Sequence, residues 1–141
     1  MSIYADSSFI VSLYITDAHS SEARRRIQGA LPLILTPFHL AEWFHALGQH
    51  QFRRSLTAGD AQHVNSQFVS DEMAGVFHRS SLPDHAFELC ADLARKHGAT
   101  FGMRTLDSLH VASALELKAE HFWTYDERQE KLAKAQGLKT M

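Results

Sequence analysis

The chain has a single cysteine, only three prolines, and no apolar run of the length needed to cross a bilayer. Cys90 by itself excludes an internal disulfide. It sits between Leu89 and Ala91 in a helical pattern, so it reads as a small buried apolar group. The ten histidines invite a zinc reading that their spacing does not support, because HExxH is absent and no Cys/His quartet is available. The seven glycines form no phosphate-cradling loop. Rossmann and Walker patterns do not occur, so no nucleotide cofactor is expected. An excess of positive charge is missing too, with a net charge of −2. A chain of this balance could act on a polyanion only if bound cations or a few arginines supplied the local positive charge. The first fifteen residues lack a basic leader, and Asp6 interrupts their apolar stretch, which does not suit a secretory signal. A cytoplasmic protein with no membrane association is expected.

What is present is globular: 45% apolar and 21% charged residues over 141 positions. That length suits one domain, residues 1–141, burying roughly two-thirds of its unfolded surface. No repeat or linker is visible. Ile3–Ala5 reads as a first strand, followed by helices over residues 9–15 and 17–28, the latter stopped by Gly29. Leu33–Leu35 reads as a buried strand. Thr36 then caps a helix with Pro37 in its first position, running to about Gln51 with Leu40, Phe44 and Leu47 on its apolar face. Thr57 and Asp60 form a capping box for a helix ending near Asp71. A third strand is expected over 75–78. Next comes a helix from Pro83 that carries Phe87, Leu89, Leu93 and Ala94 and stops at Gly98. A helix over 106–118, a strand over 122–125, a helix over 127–136 closed by Gly137 and an edge strand over 138–140 complete the chain. Strands alternating with helices predict an α/β fold, a parallel sheet covered on both faces.

Four acids fall at distinctive places in this pattern. Asp6 directly follows the first strand and Asp126 ends the late strand. In open α/β sheets, sites collect at the carboxyl ends of strands. Glu42 lies in the second turn of the helix after strand two, next to apolar neighbours. Asp107 opens the helix 106–118. Three of them have a plain structural alternative; Glu42, with apolar neighbours on both sides, is harder to dismiss. Asp6 can be a helix cap, Asp107 a first-turn acid favoured by the helix dipole, and Asp126 the opening of the turn into the last helix. Gathered together, the four would raise each other's pKa unless a hard cation such as Mg²⁺ or Mn²⁺ offset the repulsion.

The segments Tyr4-Ala5-Asp6-Ser7-Ser8-Phe9-Ile10-Val11, Leu40-Ala41-Glu42-Trp43, Arg104-Thr105-Leu106-Asp107-Ser108-Leu109-His110-Val111-Ala112-Ser113-Ala114 and Phe122-Trp123-Thr124-Tyr125-Asp126-Glu127-Arg128-Gln129 together resemble the PIN-domain family. Within it, they are similar to the VapC-type toxin ribonucleases of type II toxin–antitoxin pairs. Each motif is weak alone; the ordered set of four is specific, and it spans nearly the whole chain. The resemblance implies a three-layer α/β/α sandwich with a central, mostly parallel sheet. It also implies Mg²⁺- or Mn²⁺-dependent cleavage of RNA, a homodimer, and a cognate antitoxin that blocks the site. On that reading Asp6, Glu42, Asp107 and Asp126 hold the metal, Asp6 and Asp107 directly and the other two directly or through water. Ser7, Ser8 and Thr124 would orient a carboxylate or a water. Arg104 would contact a phosphate or pair with a site acid, and His110 would either support Asp107 on the same helical face or be a hydrogen-bonded core histidine. Two basic runs, Arg24-Arg25-Arg26 and Arg53-Arg54, read as solvated helix faces or as RNA contacts. The alternatives from other classes are a nuclease of RNA processing or of DNA, and a non-catalytic protein-binding module.

Overall fold

The computed structural model describes residues 1–30 and 32–141. In chain order the elements are β1 (Ile3–Ala5), α1 (Ser7–Tyr14), α2 (Ser20–Arg26), β2 (Leu33–Leu35), α3 (Pro37–Phe52), α4 (Ala58–Met73), β3 (Phe77–Arg79), α5 (His85–Phe101), α6 (Thr105–Glu116), β4 (His121–Trp123) and α7 (Glu127–Ala135). They group into two compact units, residues 1–6 with 81–141, and residues 7–80.

In the first unit, β1 pairs in parallel with β4, Tyr4 opposite Phe122 and Ala5 opposite Trp123. Ile3, Tyr4 and Ala5 are all fully buried. A strand covered on both faces has no need of apolar–polar alternation, and this one shows none. The Tyr4 ring stacks on Phe122 at 5.7 Å between centroids. Beyond β4, Lys139 makes one parallel bridge to His121, so the edge strand expected over 138–140 is reduced to a single pairing. Helix α6 is buried at every position from Ser108 to Ala114 and packs with α5 and α7. Two polar members of that run are tolerated because they are bonded, His110 to the Tyr4 hydroxyl and Ser113 to the Leu109 carbonyl.

Helix α5 departs from expectation. It runs through Gly98 and ends at Gly102, whose φ of +67° closes it in the left-handed conformation. A mid-helix glycine costs about 1 kcal/mol, and the extra turn adds a contact, the Phe101 ring stacking on His97. The buried residues of α5 are Ala86, Cys90 and Leu93, while Phe87 is exposed.

In the second unit β2 and β3 are also parallel, Leu33 opposite Phe77. Thr36 caps α3 with Pro37 behind it. His39 stands at the third helical position, its ring nitrogen accepting from the Thr36 N–H at 3.0 Å, where a glutamate would ordinarily close the box. The buried stripe of α3 is His39, Trp43 and Leu47. That corrects the expected face through Leu40 and Phe44, the latter being 55% exposed. The reason is the aromatic cluster that Trp43 joins. It stacks on Phe68 of α4 at 4.6 Å, and Tyr14 of α1 meets both rings edge-on. The Thr57–Asp60 capping box opens α4 as expected. Tyr14 donates its hydroxyl to Asp71 Oδ2 at 2.7 Å. Burial, reinforced by that bond, pushes the phenol well above its usual range and keeps it protonated.

The expected α/β class and the parallel pairing are both observed. Among the described residues no helix is long and apolar enough to cross a membrane.

Candidate active site

The site is built around the end of β4. After Trp123 the chain leaves the strand through Thr124, which is 3% exposed, and reaches Asp126, the N-cap of α7. On the neighbouring strand the Asp6 N–H donates to the Trp123 carbonyl at 3.0 Å, extending the β1–β4 ladder one residue past β1. The ladder thus sets Asp6, itself only 5% exposed, beside Thr124. The Thr124 Oγ1 lies 3.1 Å from Asp6 Oδ2 and 2.7 Å from Gln129 Oε1, and it accepts the Asp126 N–H at 3.0 Å.

Gln129, which sequence reasoning did not single out, joins the remaining parts. Its backbone N–H donates to Asp126 Oδ1 at 2.9 Å, and its side-chain Nε2 donates to the main-chain carbonyl of Asp107 at 3.1 Å. It is 1% exposed. A signal for it did exist: Asp126-x-x-Gln129 has the spacing of a capping box, in which the third-position side chain returns to the N-cap N–H. Here Thr124 takes that N–H. The Gln129 amide is thereby released to tie the β4 end to α6.

One buried network therefore links the positions of Asp6, Asp107 and Asp126. The Asp107 carboxylate is half-exposed in the first turn of α6, with Arg104 Nε 3.8 Å from its Oδ2. Arg104 itself is almost fully solvated and leans toward a site acid, at a separation where an exposed pair contributes little. Asp126 is exposed and commits one oxygen to capping. His110 is buried, its Nδ1 2.7 Å from the Tyr4 hydroxyl. Those are the surroundings of a core histidine. In the other unit, Glu42 is partly buried in the second turn of α3, Ser7 is buried at the start of α1, and Ser8 is exposed beside it.

The donors of this set are all oxygen, which fits a hard cation such as Mg²⁺ or Mn²⁺ rather than zinc. Among the described residues no three His, Cys, Asp or Glu side chains already stand together at metal-binding geometry. Like-charged carboxylates repel one another when no cation lies between them. Asp107 and Asp126 are exposed enough to change rotamer.

The family model of the PIN domain matches residues 3–135. Ribonuclease VapC46 of Mycobacterium tuberculosis is 28% identical over 96% of this chain and 93% of its own length. Three crystal structures share the fold. VapC20 of Mycobacterium tuberculosis, described as a toxin cleaving the sarcin–ricin loop, has 16% identity and a TM-score of 0.65 over 92% of this chain and 94% of its own. VapBC2 of Rickettsia felis, bound to a DNA fragment from its promoter, has 12% identity and a TM-score of 0.69 over 100% and 98%. FitAcB of Neisseria gonorrhoeae has 14% identity and a TM-score of 0.70 over 99% and 96%.

Proposed function

We propose, from the premise that this chain belongs to the PIN-domain family, that it is a Mg²⁺- or Mn²⁺-dependent endoribonuclease and the toxin of a toxin–antitoxin pair. The observation that carries the chemical part is the network around Thr124, which fixes the buried Asp6 carboxylate next to the elements bearing Asp107 and Asp126. Burying a carboxylate is costly unless it is paired or coordinated.

Asp6 and Asp107 would hold the cation directly, and Asp126 and Glu42 directly or through water. A divalent ion so held would lower the pKa of a bound water and steady charge on the phosphoryl oxygens. The net reaction is hydrolysis: the water oxygen bonds to phosphorus, the phosphodiester P–O bond breaks, and a proton passes to the leaving oxygen. This chain's own contribution is to place the acids. Thr124 and Ser7 or Ser8 would orient oxygens, and Arg104 would contact a phosphate or pair with a site acid. Likeness to VapC46, VapC20, VapBC2 and FitAcB supports RNA as substrate and a cognate antitoxin as partner. A homodimer, a cytoplasmic location and a single functional domain over residues 1–141 belong to the same reading.

The test is cleavage of RNA by the purified chain. EDTA should stop it, and Mg²⁺ or Mn²⁺ should restore it. Asp6→Asn and Asp107→Asn should each abolish it while circular dichroism and Tm stay close to the parent. Chelator-resistant hydrolysis, or full activity in the double variant, would overturn the reading.

A further inference from the structure

The second unit holds a cavity of about 530 Å³, lined by residues of α1, α2 and α4. Small-molecule sites run from about 300 to 1,000 Å³. Two charged groups line it, Arg24 of α2 and Asp71 of α4, and each is tethered. Arg24 donates its Nε–H to the Leu13 carbonyl at 3.2 Å, which leaves the Nη1–Nη2 edge of the guanidinium open. Asp71 Oδ2 accepts the Tyr14 hydroxyl at 2.7 Å, which leaves Oδ1 and one lone pair of Oδ2. The two side chains do not pair with each other. Among the described residues, neither the Arg24 Nη atoms nor Asp71 Oδ1 has a partner. Tethering has already removed rotamer freedom that a ligand would otherwise have to freeze.

We infer that this cavity reads an unpaired guanine of the RNA, Asp71 accepting from the N1–H and the 2-amino group while Arg24 donates to O6 and N7. This rests on the reading that the chain acts on RNA, and it names the base that is recognised. One guanidinium and one carboxylate cancel in charge, so the cavity does not favour a phosphate, which is held by net positive charge. It suits a neutral, planar ligand with donors on one side and acceptors on another. Guanine alone among the four bases sets two adjacent donor groups beside two adjacent acceptors. Adenine and cytosine offer a carboxylate one amino group, and uracil one imide N–H. The arginine fork on O6 and N7 is the commonest base-specific contact in nucleic-acid recognition. In RNA, such edges are read on unpaired bases. Gln67 and Ser70 line the same cavity from α4 and supply neutral donors and acceptors around the ring. Tyr14 also meets edge-on the ring of Trp43, which follows Glu42 on α3, so one aromatic contact joins the cavity wall to a helix that bears a proposed site acid.

Calorimetric titration of the intact chain in EDTA tests this without any metal or cleavage. Guanosine monophosphate should bind roughly tenfold or more tightly than the adenosine, cytidine and uridine monophosphates, the size of one bidentate pair. Inosine monophosphate, which lacks the 2-amino group, should fall between. Asp71→Asn keeps an acceptor for the Tyr14 hydroxyl but turns one carboxylate oxygen into a donor group. It should erase the preference for guanine while Tm stays near the parent's. Arg24→Lys, at an exposed position, keeps the charge and loses the fork; it should weaken guanosine monophosphate binding and serves alone should Asp71→Asn fail to fold. In RNA cleaved by the parent, sequencing of the product ends should show guanine at a fixed distance from the cut, and Asp71→Asn should cut without it. Equal binding of the four nucleotides, no binding of any, or inorganic phosphate binding as tightly as guanosine monophosphate would overturn the inference. So would a guanine preference that survives in both variants. If Asp6→Asn and Asp107→Asn are inactive while guanosine monophosphate binds no better than the others, this inference alone fails. An active Asp6→Asn variant would bring down the metal-dependent reading instead, and the nucleotide titration would stand apart from it.

Discussion

The backbone N–H of Gln129 donates to Asp126 Oδ1 at 2.9 Å, so a residue proposed for the metal site is also the N-cap of α7. The two roles separate on substitution. Asparagine caps a helix as well as aspartate does, whereas alanine leaves an N–H unsatisfied and costs about 1 kcal/mol. Asp126→Asn should therefore keep the parent's urea midpoint and lose cleavage. Asp126→Ala should lose both. An Asp126→Asn chain that cleaves RNA at the parental rate would leave the residue as a cap alone.

The aromatic cluster of the second unit gives a contrast between neighbours. Trp43 is 1% exposed, stacks on Phe68 and donates its indole N–H to Asn65 Oδ1 at 3.0 Å. Its replacement by alanine opens a cavity and orphans a polar partner, at about 3–5 kcal/mol. Phe44, one position further along α3, should change stability by no more than about 0.5 kcal/mol when replaced by alanine. Urea denaturation of Trp43→Ala and Phe44→Ala checks the ranking. Equal losses would restore the apolar face that the sequence suggested.

That contrast also marks where sequence reasoning held and where it stopped. Leu33–Leu35, the Thr36 cap, the Thr57–Asp60 box and the Gly137 stop were legible because each depends on residues within a few positions of one another. The face of α3 was not. Leu40, Phe44 and Leu47 repeat at helical spacing about as well as His39, Trp43 and Leu47 do, and only the stacking partner Phe68 decides between them. Gly98 looked like a helix stop because the stacking of Phe101 on His97, which favours another turn, is not visible in local spacing. The acids of the candidate site could be named from their order along the chain. Gln129 was signalled only by its capping-box spacing from Asp126; its place in the network was not legible, because it depends on Asp107, 22 residues away, and on Thr124 having taken the N–H it would otherwise cap.

Cys90 should be chemically quiet. It is buried on α5, with its Sγ 3.5 Å from the Thr105 carbonyl, and burial pushes its thiol pKa upward. The thiolate is the reactive species, so a thiol reagent should modify the native chain slowly and the urea-unfolded chain fast. Cys90→Ala should retain cleavage. Rapid native labelling coupled to loss of activity would contradict this placement.

Asp17 ties the end of α1 to the start of α2, and this makes its contribution pH-dependent. Its carboxylate accepts from Ser12 Oγ at 2.7 Å, from the His19 N–H at 2.7 Å and from Ser20 Oγ at 3.3 Å. Desolvation alone would raise its pKa, but these hydrogen bonds outweigh it and hold the group below the ordinary carboxylate range. A folded-state pKa below the unfolded value of about 3.9 means that the unfolded chain binds more protons between the two. The stabilisation is therefore complete above the unfolded pKa, and it is lost as the pH falls through the folded one. Asp17→Asn should be less stable than the parent near neutral pH. The gap should narrow steadily once the pH drops below about 4, because the protonated parent then resembles the variant. Urea midpoints of the two chains across that window measure it. A gap that stays constant down to acid unfolding would mean the three hydrogen bonds do not depend on the charge of Asp17.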